Sequence, residues 1–124
     1  MKITRFEDIQ AWQEARKLTS VIYAITKQGA FGKDYGLRDQ IQRASNSIMA
    51  NIAEGFDSQS NREFIKFLWY ALRSASEVQS HLYVALDQRY LDKEGFEDVY
   101  LKTVSVKKLI LGFIRYLKTS NQNG

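Results

Sequence analysis

The chain contains no cysteine, no proline and a single histidine, His81. Without cysteine there are no disulfides, thiolate metal sites or thiol nucleophiles. One histidine cannot build a histidine-rich metal centre within one chain. The lack of proline favours long uninterrupted helices over a turn-rich β fold. Apolar runs such as Leu109-Ile110-Leu111 fall far below the about 20 residues that span a bilayer. The opening Met1-Lys2-Ile3-Thr4-Arg5-Phe6-Glu7-Asp8 turns acidic before an apolar leader region forms. The expectation is a cytoplasmic protein with no membrane segment.

What is present fits one domain: 124 residues, 44% hydrophobic and 26% charged, with 16 aromatics (two Trp, seven Tyr, seven Phe). A chain of this length buries a little under about 70% of its unfolded surface, enough to stand without staples. Residues 1–119 read as a single domain, and Ser120-Asn121-Gln122-Asn123-Gly124 reads as a tail that frays.

Four helical segments follow from the apolar spacing. The first opens with a capping box at Thr4-Arg5-Phe6-Glu7, or with Asp8 as the cap, and runs to about Gln28. Its seam is Ile9, Trp12, Arg16, Thr19, Ile22 and Thr26, with Gly29 as the C-cap. Residues 29–33 form a loop whose Phe31 plugs one end of the core. The second helix starts near Asp34 and aligns Leu37, Ile41, Ala44, Ile48, Asn51, Ile52 and Gly55, with Gly55 ending it. Ser60-Asn61-Arg62-Glu63 is a second capping box and opens the third helix, which runs to about residue 89. One third-helix seam holds Phe64, Leu68, Ala71, Ala75, Val78, Leu82 and Ala85. A parallel seam holds Ile65, Trp69, Leu72, Ser76, Tyr83, Leu86 and Tyr90. Two seams make an apolar arc wider than one core requires, so the helix is either central or meets another chain. Asp92 caps a fourth helix with Phe96, Val99, Thr103, Val106, Ile110, Phe113 and Leu117 in step. The fold expected is all-α: an antiparallel up-down-up-down four-helix bundle.

No catalytic constellation emerges. A nucleophilic triad needs a histidine base, and His81 alone is available, among Ser80, Leu82 and Tyr83. A carboxylate dinuclear metal bundle needs two Glu-x-x-His pairs, whereas Glu77 precedes His81 by four residues and there is no second histidine. Neither phosphate-cradling glycine motif occurs. The chain is therefore expected not to be an enzyme and to hold no metal or cofactor. Arg43, Ser47, Asn51 and Glu54 recur at steps of four, four and three along the second helix, and Arg16 from the first helix extends this set. The set reads as a structural polar network, with Asn51 and Glu54 partly buried.

The net charge is +4. From Lys102 onward the last helix carries Lys102, Lys107, Lys108, Arg115 and Lys118 and no acid. This order complements a helix dipole, and it also makes a basic stripe able to meet phosphates. Candidate nucleic-acid contacts are Lys66, Arg73, Lys107, Lys108, Arg115 and Lys118. Trp69, Leu72 and Tyr83 on the second seam are the candidate subunit interface.

Two segments carry a family resemblance. Phe6-Glu7-Asp8-Ile9-Gln10-Ala11-Trp12-Gln13-Glu14-Ala15 resembles an opening F-x-x-L-x-x-W-x-x-A pattern. Tyr35 to Ala44, followed by Ser47-Ile48-Met49-Ala50-Asn51-Ile52-Ala53-Glu54-Gly55, resembles the signature of the same family. These are the four-helix-bundle proteins encoded in intervening sequences of bacterial 23S ribosomal RNA genes, relatives of the accessory variability determinant of diversity-generating retroelements. Met49 and Gly32 stand where that family commonly has proline, and Arg73 where glycine is common in the third helix. The resemblance implies a ring-shaped homopentamer with a role in binding RNA or a protein–nucleic-acid complex. The alternative is a pure assembly or adaptor protein whose charge serves only solubility.

Overall fold

The computed structural model describes residues 3–120, and the rest of the expected tail, 121–124, lies outside them. Among the described residues the regular structure is helical: a 3-10 turn at Phe6–Asp8 and five α-helices. These are α1 (Gln10–Ile25), the short α2 (Gly29–Lys33), α3 (Tyr35–Phe56), α4 (Asn61–Asp87) and α5 (Lys93–Ser120). The long helices pack in a ring, α1 on α3, α3 on α4, α4 on α5 and α5 on α1. Contacts along each pair run in opposite chain directions. Gln42 bonds Thr26 while the Ser45 carbonyl accepts from Thr19, so α1 and α3 are antiparallel. Asn61 at the start of α4 reaches Leu117 near the end of α5. Tyr90, just past α4, donates to Asp34 at the start of α3. The architecture is the antiparallel four-helix bundle that the spacing predicts.

The seams of α3 and α4 are the expected ones. Leu37, Ile41, Ala44, Ile48, Ile52 and Gly55 are buried on α3, and all seven residues of the first α4 seam are buried. Asn51 alone of the α3 seam is only half-buried. The seams of α1 and α5 are also largely the expected ones, with departures at single positions. In the first seam Ile9, Thr19, Ile22 and Thr26 are buried as expected and are joined by Ala11, Ala15 and Leu18, whereas Arg16 is exposed and Trp12 half-buried. On α5 Ile114 is buried in place of Phe113.

The ends show how local chemistry sets the boundaries. Thr4 caps nothing, and α1 starts at Gln10 with Ile9 at the N-cap and no side-chain cap. The break lets Ile9 sink into the core (2% exposed) while Phe6 meets the Trp12 edge at 5.1 Å. At the other end α1 stops at Thr26, whose Oγ1 donates to the Ile22 carbonyl at 2.7 Å, and residues 29–33 form a helical turn rather than a loop. Gly29, which opens that turn, has φ +49°. Phe31 (1% exposed) does close that end of the core, stacked on Tyr90 at 5.2 Å. Asp34, Ser60 and Asp92 each accept a backbone N–H three residues on, from Leu37, Glu63 and Gly95, and so cap the three longest helices.

Gly55 does not end α3, which continues to Phe56. Its role is proximity. A Cβ there would lie 2.6 Å from Phe64 Cδ1 and 2.9 Å from Phe67 Cβ, so only glycine allows α3 and α4 to approach this closely. After α4, Arg89 takes φ +63°. Its N–H donates to the Leu86 carbonyl and the Tyr90 N–H to Ala85, the paired bonds of a Schellman cap usually built on glycine.

Candidate nucleic-acid interface

α4 is flanked by α3 and α5, so both sides of its wide apolar arc are used. Ser74 bonds Ser47 of α3, and Ser76 and Gln79 accept from Lys107 of α5. What remains outward, at steps of four, three and four, is Arg62, Lys66, Trp69 and Arg73. Trp69 is 44% exposed. It lies in an open cleft of about 600 Å³ lined also by Arg62, Glu63, Ile65, Lys66, Tyr70 and Arg73. The Arg73 guanidinium sits 5.6 Å from the centre of the Tyr70 ring. Among the described residues no ion pair joins Arg62, Lys66 or Arg73 to a carboxylate.

The antiparallel pairing places this stretch beside the acid-free part of α5. Asn61 lies by Leu117, and Ser76 lies by Lys107, so residues 62–76 run alongside residues 107–118. Those two stretches hold seven cations (Arg62, Lys66, Arg73, Lys107, Lys108, Arg115, Lys118) and one acid, Glu63. The region carries +6, so with +4 for the whole chain the remainder carries −2. The six residues singled out from sequence do not form one tight patch. Lys66 and Arg73 share the outer face of α4. Lys107 is half-buried, with Nζ held 3.0 Å from Ser76 Oγ and 3.1 Å from Gln79 Oε1. Lys108 and Arg115, seven residues apart, project from one exposed face of α5, and Lys118 is exposed as well. Lys102 differs, because Asp98 Oδ1 sits 2.9 Å from its Nζ. Sequence reading missed Arg62 and Tyr70, although their i−7 and i+1 positions relative to Trp69 were the available signal.

The expected polar network is only partly assembled. Asn51 Nδ2 donates to the Ser47 carbonyl (2.9 Å) and Oγ (3.0 Å), and Ser74 Oγ donates to Ser47 Oγ (2.9 Å). Ser74, which the sequence reading left out, is what ties this chain to α4. Arg43 and Glu54 are exposed and stand apart, so the burial expected of Glu54 is not found. Arg16 points instead over the Trp12 ring, 5.8 Å from its centre.

The three candidate interface residues also separate. Leu72 is only 7% exposed and belongs to the core. Tyr83 is half-exposed with one side packed on Phe96 (4.8 Å) and Tyr100 (5.7 Å) of α5. Next to that aromatic cluster in sequence, Val84 and Leu101 are 41% and 62% exposed.

His81 Nε2 is buried, without a hydrogen-bond partner and 3.6 Å from Glu77 Oε2. Among the described residues no cluster of three metal-ligating side chains occurs, and no helix is long and apolar enough to cross a membrane.

The class of molecule is thus an antiparallel helical bundle whose α4 and α5 carry seven cations against one acid over residues 62–76 and 107–118. Residues 7–112 match the model of the 23S rRNA-intervening sequence protein family, and the chain belongs to that family. It is similar to a crystal structure from Bacteroides thetaiotaomicron, a protein of unknown function from the S23 ribosomal protein family. That similarity is 26% identity over 84% of this chain and 97% of that one, with a TM-score of 0.76. No curated protein matches the chain.

Proposed function

We propose that the protein is a non-enzymatic, self-assembling module that binds structured RNA, alone or within a ribonucleoprotein, through the outer flank of α4 and α5. The observation that carries this reading is the charge separation: seven cations against one acid in residues 62–76 and 107–118, with the rest of the chain net acidic. A basic flank of this kind attracts phosphates and steers their approach. The non-enzymatic reading is supported by His81, whose Nε2 is shut away from solvent and so ill placed for proton transfer to a ligand.

Self-assembly is supported by the exposed apolar group Tyr83, Val84 and Leu101 at the far end of the same two helices. A repeated head-to-tail contact there closes into a ring, and the resemblance to the family makes it a ring of five. Five copies at +4 carry about +20, which multiplies the attraction for a polyanion. Light scattering at micromolar concentration tests assembly, with a stable 14.4 kDa monomer as the contrary result. Fluorescence anisotropy with a labelled RNA hairpin at about 50 mM salt tests binding. Tight binding supports the reading; no binding leaves the protein an assembly or adaptor module.

A further inference from the structure

We infer that Trp69 is a stacking platform for one unpaired RNA base, so that the protein recognises single-stranded or looped RNA rather than duplex. The inference deepens the RNA reading and rests on it. A large side chain left 44% exposed on the outer face of α4, outside the core and the residues packed against it, is not explained by folding alone. The cleft around it is not an apolar patch: Arg62, Lys66 and Arg73 rim it, none neutralised by a carboxylate among the described residues, and Glu63 is its lone acid. A second protein copy would bury these charges at a cost, since isolated ions are poorly tolerated in a closed interface. A nucleotide meets both features at once. Its base offers a π-face to the indole, and its flanking phosphates offer charge to the guanidinium and ammonium groups. Duplex bases are already stacked on one another and present edges and backbone, not free faces, to such a platform. Tyr70 adds a second aromatic beside the indole, with the Arg73 guanidinium over its ring at 5.6 Å.

The test uses the full chain carrying Trp12→Phe, so that Trp69 is the sole tryptophan and its emission reports on this site alone. It is titrated with a 12-nucleotide single-stranded RNA and an RNA duplex of the same length. The expected result is quenching of Trp69 by the single-stranded RNA and weaker binding, without quenching, for the duplex. Trp69→Ala in the otherwise unaltered protein should weaken single-strand binding about 5- to 150-fold, the range for losing one stacked base. Trp69→Phe should restore most of that loss, and circular dichroism checks that both variants fold. Three results overturn the inference. Wild-type affinity in Trp69→Ala removes the platform, and equal binding of duplex and single strand removes the preference. Trp69 emission that is blue-shifted and inaccessible to acrylamide in the free protein means another subunit covers it. If neither single strand nor duplex binds, the RNA reading itself falls, and that outcome is distinct from the other three.

Discussion

The two flanks of α4 are built on different principles. Against α3 the close approach is made by small groups, Gly55 under Phe64 and Phe67, the Ser47–Ser74 hydrogen bond, and Ala71 and Ala75 in the core, with one ring pair, Phe56 on Phe64 (6.3 Å), at its end. Against α5 it is made from rings, with Phe64 on Phe113 (5.2 Å) at one end and Tyr83 on Phe96 and Tyr100 at the other. Small residues let the two backbones close up. Large residues hold the helices by their edges and leave ring surface and cationic side chains facing water. The functional surface proposed here lies on the second flank, where exposed ring surface and cations run side by side.

Breaking the core or the first flank should have large effects on folding. Leu72→Ala, at a buried position, should cost about 2–5 kcal/mol in denaturant melts, whereas Trp69→Ala, at a partly exposed position, should cost clearly less. Equal losses would mean the two seams of α4 are not divided between core and surface. Gly55→Ala should lower stability by about 1–3 kcal/mol despite the better helix propensity of alanine, because Phe67 Cβ is fixed to backbone and cannot yield. A neutral or stabilising result would show that α3 and α4 are not in close contact there.

Smaller effects sharpen the comparison. Ser74→Ala should cost about 1 kcal/mol through the lost bond to Ser47, and Glu54→Ala should cost less than about 0.5 kcal/mol. Arg89→Gly should raise the melting temperature, since a left-handed residue with a Cβ costs about 1–2 kcal/mol relative to a conformation it prefers. Smallest is a pH effect. The hydrogen bond from the Tyr90 hydroxyl to Asp34 Oδ2 (3.0 Å), with desolvation and the carboxylate charge adding to it, raises the Tyr90 pKa above its ordinary 10.0. A folded-state pKa raised above the unfolded value contributes stability below the unfolded pKa and loses it as pH rises through the folded pKa. Wild type should therefore lose stability above about pH 10 more steeply than Tyr90→Phe, a difference that urea melts at pH 9 and pH 11 can read.

The legible parts of the fold were those set by spacing and by capping residues. Seams with steps of three and four located α3 and α4, and Ser60 and Asp92 marked where helices begin, because each supplies a side-chain oxygen to a free N–H. The misread parts were set by tertiary demand. Thr4 and Glu7 match a capping box, yet burying Ile9 and seating Phe6 on Trp12 outweighs it. Arg89 ends α4 in a conformation that sequence assigns to glycine. At the candidate site, cations were visible as residue types, but their common flank depends on which residues of α4 and α5 lie side by side. That pairing comes from Asn61 meeting Leu117 and Lys107 meeting Ser76, contacts between residues far apart in the chain. Leu72 and Trp69 shared a seam on paper, and only the position of α5 separates them.

Under the proposed function, phosphate attraction resides on the α4–α5 flank rather than in net charge at large. The most direct test measures RNA affinity against salt for two triple variants of equal charge loss. One removes Lys108, Arg115 and Lys118 as glutamines, and the other removes Lys27, Lys33 and Lys93, exposed cations outside the flank. The flank variant should lower the log–log salt slope by about 2, near 0.7 per lost phosphate contact on a single strand, while the control keeps the wild-type slope. Equal slopes for the two variants would contradict the account.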